Sequence, residues 1–219
     1  MYTLQDFRAY SVTTSIQYSR KTECLCGLSA WLSPGIFYSH SVTIIHELSC
    51  VLNRSGQVDV IFLDYTRTFD KVSHSKLLLK FQRLRVPPVL IKWIQAYLKD
   101  RRQFVEIDNI RSRTLYVTSG VPQGSMLGPL LFLVYINDLP EFLGSEVSLR
   151  IFADDCVLYT PISSNADQQR LNLGLSRLKA WCDEWDMVIN VQKTVFMTVT
   201  TKNNPCYFHM ILMVMFCRR

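Results

Sequence analysis

The segment "LRIFADDCVLYT", residues 149–160, sets two adjacent carboxylates, Asp154 and Asp155, between two apolar runs. An isolated buried carboxylate is costly, and neighbouring carboxylates repel. The pattern reads as two short strands meeting in a hairpin, with the pair at its turn. Aspartate also favours turns in its own right, so on these residues alone a plain turn is the simpler reading.

A third carboxylate has similar surroundings. Asp64 ends the β-branched, apolar run "VDVIFLD", which reads as a buried strand extending to about residue 66. Two strand ends in one sheet can bring Asp64 close to Asp154 and Asp155, although Asp64 also suits a simple strand end. Three clustered carboxylates stay ionised only with cations beside them. Magnesium takes oxygen ligands, and two such ions about 4 Å apart support in-line phosphoryl transfer. The loop "SGVPQGSMLGP" (119–129) adds glycines around Gln123, Gly124 and Ser125. A backbone of this kind can approach a nucleotide or nucleic-acid strand closely, and it equally suits a surface loop.

The rest of the chain gives these residues a frame. Residues 42–52 have helical spacing closed by Gly56. Residues 73–86 read as an amphipathic helix with Ser73 at its N-cap, and Pro87-Pro88 open another. "RQFVEID" and "RTLYVTS" suggest two strands with a turn near Asn109. "LLFLVYINDL" reads as a buried helix, with a strand also possible on periodicity. A long amphipathic helix is expected over 166–187 and one or two strands over 188–200. Helices and strands alternate without a βαβ rhythm. That predicts an α+β fold, with helices packed on a largely antiparallel sheet.

Composition limits the partners. The formal net charge is +6 and the pI about 9.0, which favours polyanions. The basic residues fall into local groups: Lys99, Arg101 and Arg102; Arg111 and Arg113; and Lys76, Lys80, Arg83 and Arg85. Seven cysteines without zinc-like spacing read as reduced thiols of an intracellular protein, with nucleus and cytoplasm both open. No membrane span is expected. The apolar tail at 206–217 contains His209 and is shorter than the about 20 residues a span needs.

Four segments, in order, carry a specific resemblance: "DVIFLDYTRTFDKVSH", "TSGVPQGSMLGPLLFLVYINDLP", "FADDCVLY" and "WDMVINVQKT". Together they resemble the successive motifs of reverse transcriptases from non-LTR (LINE-type) retrotransposons, jockey-like elements among them. The resemblance runs over roughly 41–202. It implies a polymerase palm with partial fingers and an RNA-directed DNA polymerase activity. It also implies two Mg²⁺ ions (Mn²⁺ as a substitute), with an RNA template, a DNA primer and dNTPs as partners. By the same resemblance, Asp64, Asp154 and Asp155 are the catalytic metal ligands, Asp155 more as a support. Phe69 is the aromatic gate against a ribose 2′-OH, with core packing as its alternative. Gln123 and Gly124 contact the incoming nucleotide and template. Lys193 protonates the departing pyrophosphate, or is a solvated strand-end lysine. Asp70 and Lys71 are structural and position the following helix.

The resemblance has edges. Residues 1–40 show no fingers motif, and residues 203–219 read as a tail outside the family pattern. No thumb or endonuclease is recognised. The resulting expectation is a palm-centred piece of a retrotransposon polyprotein, weak or inactive by itself. The alternative is a non-catalytic nucleic-acid-binding remnant.

Overall fold

The computed structural model describes residues 44–203 and 205, apart from 55 and 146. The readings of residues 1–40 and of the apolar tail therefore lie outside the described residues. The chain divides after Cys50. Of the first unit only residues 44–50 are described, and they are helical. The second unit holds the sheet.

Strand β1 (Gln57–Leu63) is the apolar run that the sequence marks, and it is buried along nearly its whole length. That burial follows from its place in the sheet. The strand order is β6-β7-β1-β8, with β6 Ser148–Phe152, β7 Asp155–Pro161 and β8 Val195–Thr200. β1 pairs antiparallel with both β7 and β8, and β6 with β7. A strand flanked on both sides and covered on its faces carries a continuous apolar sequence. The expected α+β arrangement, an antiparallel sheet with helices, is what forms.

The helices are α1 (His74–Arg83), α2 (Pro88–Leu98), α3 (Leu127–Ile136), α4 (Leu139–Leu143) and α5 (Asn165–Glu184). α3 is apolar on all sides and almost wholly buried, which settles the choice between helix and strand for that run. α1 packs on α2 and α3, α4 packs on α5, and α5 crosses β7. The start of α5 is fixed by Asp167, whose carboxylate accepts the N–H groups of Ser163 and Ser164, each at 2.8 Å. Ser73 takes the extended N-cap conformation before α1. Its hydroxyl makes no capping bond and lies 3.2 Å from that of Ser75.

Three expectations change. The run from 102 to 116 is not two continuous strands. It is two short ribbons, β2 (Arg102–Gln103) with β5 (Leu115–Tyr116), and β3 (Glu106–Ile107) with β4 (Ile110–Arg111). The turn near Asn109 is present: Asp108 and Asn109 both have positive φ, as a two-residue hairpin turn requires. The strand expected from 188 begins only at Val195, because the Lys193 and Thr194 N–H groups bond to the Asn190 carbonyl in a turn. β1 ends at Leu63 instead of continuing to 66, since residues 66–70 turn.

Lys80, one of the grouped basic residues, is buried. It is 3% exposed, its ammonium lies 3.4 Å from the Trp185 ring centroid, and it forms an ion pair with Asp138. Burial lowers its pKa to about 8, against the opposing pull of Asp138. Lys76 is tied down too, to Asp186 and the Glu184 carbonyl, each at 2.6 Å. These lysines bind α1 to the end of α5.

Candidate functional site

The β1–β7 register pairs Leu63 with Cys156. Continued by one residue, it sets Asp64 across from Asp155. On the other side of β7, Phe152 pairs with Asp155, and Ala153-Asp154 form the two-residue turn between β6 and β7. Ala153 carries φ +52°, a left-handed conformation that a side chain disfavours. The hairpin thus holds Asp154 and Asp155 at the end of the sheet where Asp64 leaves β1.

The electrostatics agree with that geometry. Asp155 is raised above its ordinary value, first by burial and then by the charges of Asp154 and Asp64. Among the described residues, no three acidic, histidine or cysteine side chains close into a set able to hold a metal ion. The three carboxylates feel one another without forming a finished cage. The donor chemistry nevertheless fits a hard divalent cation, which takes carboxylate oxygen and relieves like-charge repulsion.

The loop before β8 is fixed to Asp64 through the backbone. The Asn190 N–H donates to the Asp64 carbonyl at 2.8 Å, and the Asp64 N–H donates to the Thr194 hydroxyl at 3.4 Å. Tyr65 forms a bridge with Ile189. Lys193 is exposed in the turn between Asn190 and Thr194. Sequence reading named Lys193 but missed Asn190, whose backbone bond leaves no residue-type signal, and Thr194, whose hydroxyl accepts the N–H of a residue 130 positions away.

Phe69 follows Asp64 in a turn closed by the Asp70 and Lys71 N–H groups on the Arg67 carbonyl, each at 3.0 Å. Its ring is half-buried, 5.1 Å from the ring of Phe132 on α3. The same turn receives the Gln123 loop. The Gly120 N–H donates to the Val72 carbonyl and the Val121 N–H to the Phe69 carbonyl, both at 2.8 Å. A Cβ at Gly120, where φ is +87°, would lie 2.8 Å from the Asp70 Cα. Gly124 also has positive φ (+78°), but nothing stands within 4 Å of where its Cβ would be. Gly124 therefore faces open space beside the exposed Gln123. So Asp64, Asp154, Asp155 and the Lys193 turn gather at one end of the sheet. Phe69, Gln123 and Gly124 connect to them through the turn that leaves Asp64.

The fold that carries this arrangement, an antiparallel sheet with helices, is similar to solved structures. The fold is similar to telomerase from Candida tropicalis in complex with a fragment of telomeric RNA. The TM-score is 0.59 at 12% identity, covering 95% of this chain and 38% of that one. Apo telomerase from the same organism gives a TM-score of 0.55 at 14% identity, over 78% of this chain and 36% of that one. The class is thus an α+β fold, an antiparallel sheet with helices, similar to that of these telomerases.

The family is narrower. The profile of the reverse transcriptase (RNA-dependent DNA polymerase) family matches residues 12–208, and the chain belongs to that family. The match begins well before residue 41, where the recognisable motifs start. The probable RNA-directed DNA polymerase from transposon BS of Drosophila melanogaster is 35% identical over 156 residues, covering 68% of this chain and 16% of that protein. The RNA-directed DNA polymerase from mobile element jockey of the same fly is 33% identical over 152 residues, again 16% of its length. The chain is a homologue of non-LTR retrotransposon RNA-directed DNA polymerases and spans about a sixth of these relatives. No helix among the described residues is long and apolar enough to cross a membrane.

Proposed function

We propose that this chain is the palm, with part of the fingers, of an enzyme that copies RNA into DNA. The palm occupies residues 41–202, flanked by an N-terminal segment (1–40) and a C-terminal tail (203–219). The observation that carries this reading is the β1–β7 register, which sets Asp64 across from Asp155 beside Asp154. Asp64, Asp154 and Asp155 would hold two Mg²⁺ ions, or Mn²⁺ in their place. Bound there, the cations supply the positive charge that stabilises a phosphoryl group in transfer from a dNTP to a primer 3′-OH.

The chain's own residues do the positioning. Ala153, small and next to the carboxylates, leaves room for the primer end. Phe69, its ring braced by Phe132, acts as the bulky gate against a 2′-hydroxyl. Gln123 and Gly124 line the approach of the nucleotide and template base, and the open space at Gly124 supports a close backbone contact. Lys193 delivers a proton to the departing pyrophosphate. Holding the reactants in line accounts for much of the rate in chemistry of this kind. Arg101, Arg102, Arg111 and Arg113 surround the exposed ribbons and suit a phosphate backbone, so binding weakens as salt rises.

The test is primer extension on an RNA template with Mg²⁺ or Mn²⁺, comparing the chain with Asp154→Asn. The reading predicts at most weak, divalent-dependent dNTP incorporation by this piece, abolished by the substitution; robust processive synthesis overturns the expectation of weak activity. Incorporation that survives Asp154→Asn overturns the metal-ligand assignment. A second reading is a binding module without catalysis, supported by the exposed basic residues Arg102, Arg111 and Arg113 on and beside the ribbons. It predicts salt-sensitive template binding with no incorporation at any divalent concentration.

A further inference from the structure

We infer that Asp70 is a positioning residue that sets both the place and the polarity of the Gln123 side chain. Gln123 then presents its carbonyl oxygen, a hydrogen-bond acceptor, toward an N–H or O–H donor on the nucleotide or the templating base. This deepens the nucleotide-binding role proposed above for Gln123 and rests on it.

The geometry is specific. Gln123 Nε2 donates to Asp70 Oδ1 at 2.9 Å across 53 residues of sequence. An ionised carboxylate has no proton to give, so the amide must turn its NH₂ toward Asp70. Its Oε1 is thereby directed away from Asp70. A glutamine without this neighbour is free to present either end. The carboxylate removes that choice before any ligand arrives, and a group fixed in advance loses less freedom on binding.

The backbone around the contact is built for it. The Ser119 hydroxyl donates to the Asp70 carbonyl at 2.9 Å. His74, at the start of α1, donates from Nε2 to the Gly120 carbonyl at 2.8 Å. With the two backbone bonds from Gly120 and Val121, four contacts besides that of Gln123 fasten the loop to residues 69–74. Gly120 allows the approach, since any Cβ there would meet the Asp70 backbone. Farther along, the Ser125 hydroxyl donates to the Pro122 carbonyl at 2.7 Å and accepts the Gly128 N–H at 2.9 Å. The loop is therefore held at both ends, with Gln123 and Gly124 between them. Asp70 and Gln123 are themselves exposed, so their contact adds little to the core. Its value lies in orientation.

Reversal of donor and acceptor tests this. Asp70→Asn keeps an acceptor oxygen for Gln123. Asp70→Ala removes it. Gln123→Glu sets carboxylate against carboxylate, and the double variant D70N/Q123E restores the bond with the donor amide now at position 70. Thermal melting first establishes that each variant is folded. The first readout is amide hydrogen exchange over residues 119–125 in the full chain, without ligand. Asp70→Ala and Gln123→Glu should speed exchange by about fivefold, the amount that loss of one hydrogen bond commands, while D70N and D70N/Q123E stay within about twofold of the parent. The second readout is primer extension, where Asp70→Ala and Gln123→Glu should raise the KM for dNTP more than they lower kcat, and D70N/Q123E should recover the KM. Unchanged exchange in Asp70→Ala, or a double variant no better than Gln123→Glu, overturns the inference. A parent chain that incorporates no nucleotide favours the non-catalytic binding reading over the polymerase reading and leaves this inference to the exchange arm, which by itself decides whether Asp70 positions Gln123.

Discussion

Asp64 lies across from Asp155, one residue beyond the last paired positions of β1 and β7, Leu63 and Cys156. Burial, then the charges of Asp154 and Asp64, raise Asp155. The folded carboxyl thus holds its proton more tightly than the unfolded one. The stability this contributes is present below the unfolded pKa and is lost as pH rises through the folded value. At neutral pH, without divalent ions, the carboxylates work against the fold. Asp64→Asn should therefore lower the titration of Asp155, read by carboxyl-carbon NMR, and raise the melting temperature in chelator. A melting temperature that falls in chelator would count against repulsion at this end of the sheet.

Lys80 supplies a second prediction. Its side chain is 4% exposed, and its partner Asp138 also accepts the Trp181 indole N–H at 2.9 Å. Lys80→Ala should cost about 2–3 kcal/mol, since it leaves a partly buried carboxylate without its counter-charge. The double variant K80M/D138N, which removes both charges, should stay within about 1 kcal/mol of the parent in denaturant unfolding.

The pH dependence of Lys80 has a defined sign. Burial lowers it from 10.5 to about 8, so between those values the unfolded chain binds more protons than the folded one. Stability then rises with pH. Cys156 and Cys182, both pushed up from 9.0 to about 12 chiefly by burial, oppose this above pH 9. The gain should appear from about pH 8 to 9 in the parent chain and vanish in K80M/D138N.

Asp167 governs the acid side. Burial would raise it, but the Ser163 N–H, the Arg170 guanidinium and the Ser164 N–H and hydroxyl outweigh burial and lower it to about 2. This stability is present above the ordinary carboxyl pKa of 3.8 and is lost as pH falls toward about 2. Asp167→Ala should cost about 1 kcal/mol at neutral pH and flatten the acid limb of the unfolding profile between pH 4 and 2.

The two loop glycines separate strain from crowding. Gly120→Ala meets both a positive φ and the Asp70 backbone, so it should cost about 3 kcal/mol. Gly124→Ala meets only the φ penalty and should cost about 1 kcal/mol. Thermal melts of the two variants give the comparison, and equal losses would mean that Gly120 does not pack on Asp70.

Much of this was legible in the residues. The apolar flanks of Asp154-Asp155 are strands because each pairs in the sheet, and the mostly apolar β1 sits between β7 and β8, buried at every position but Phe62. Lys80 was legible in principle: at helical spacing it shares a face with Leu77 and Phe81, both buried. Charge hid that position. The bond between Asp70 and Gln123 was not legible, because a contact across 53 residues leaves no local period. The ribbons between Arg102 and Tyr116 broke short for a related reason. Every residue in β2, β3, β4 and β5 is exposed, so no buried face enforces a long register.

Under the proposed function, Asp64, Asp154 and Asp155 together hold two divalent ions at the end of this sheet. A Mn²⁺ titration followed by paramagnetic broadening of backbone amides tests it most directly, because it needs neither template nor primer. The account predicts that the amides of residues 63–65 and 153–156 broaden first, and that Asp64→Asn or Asp154→Asn removes this selectivity. Broadening spread evenly over the acidic residues, or unchanged by either substitution, would contradict it.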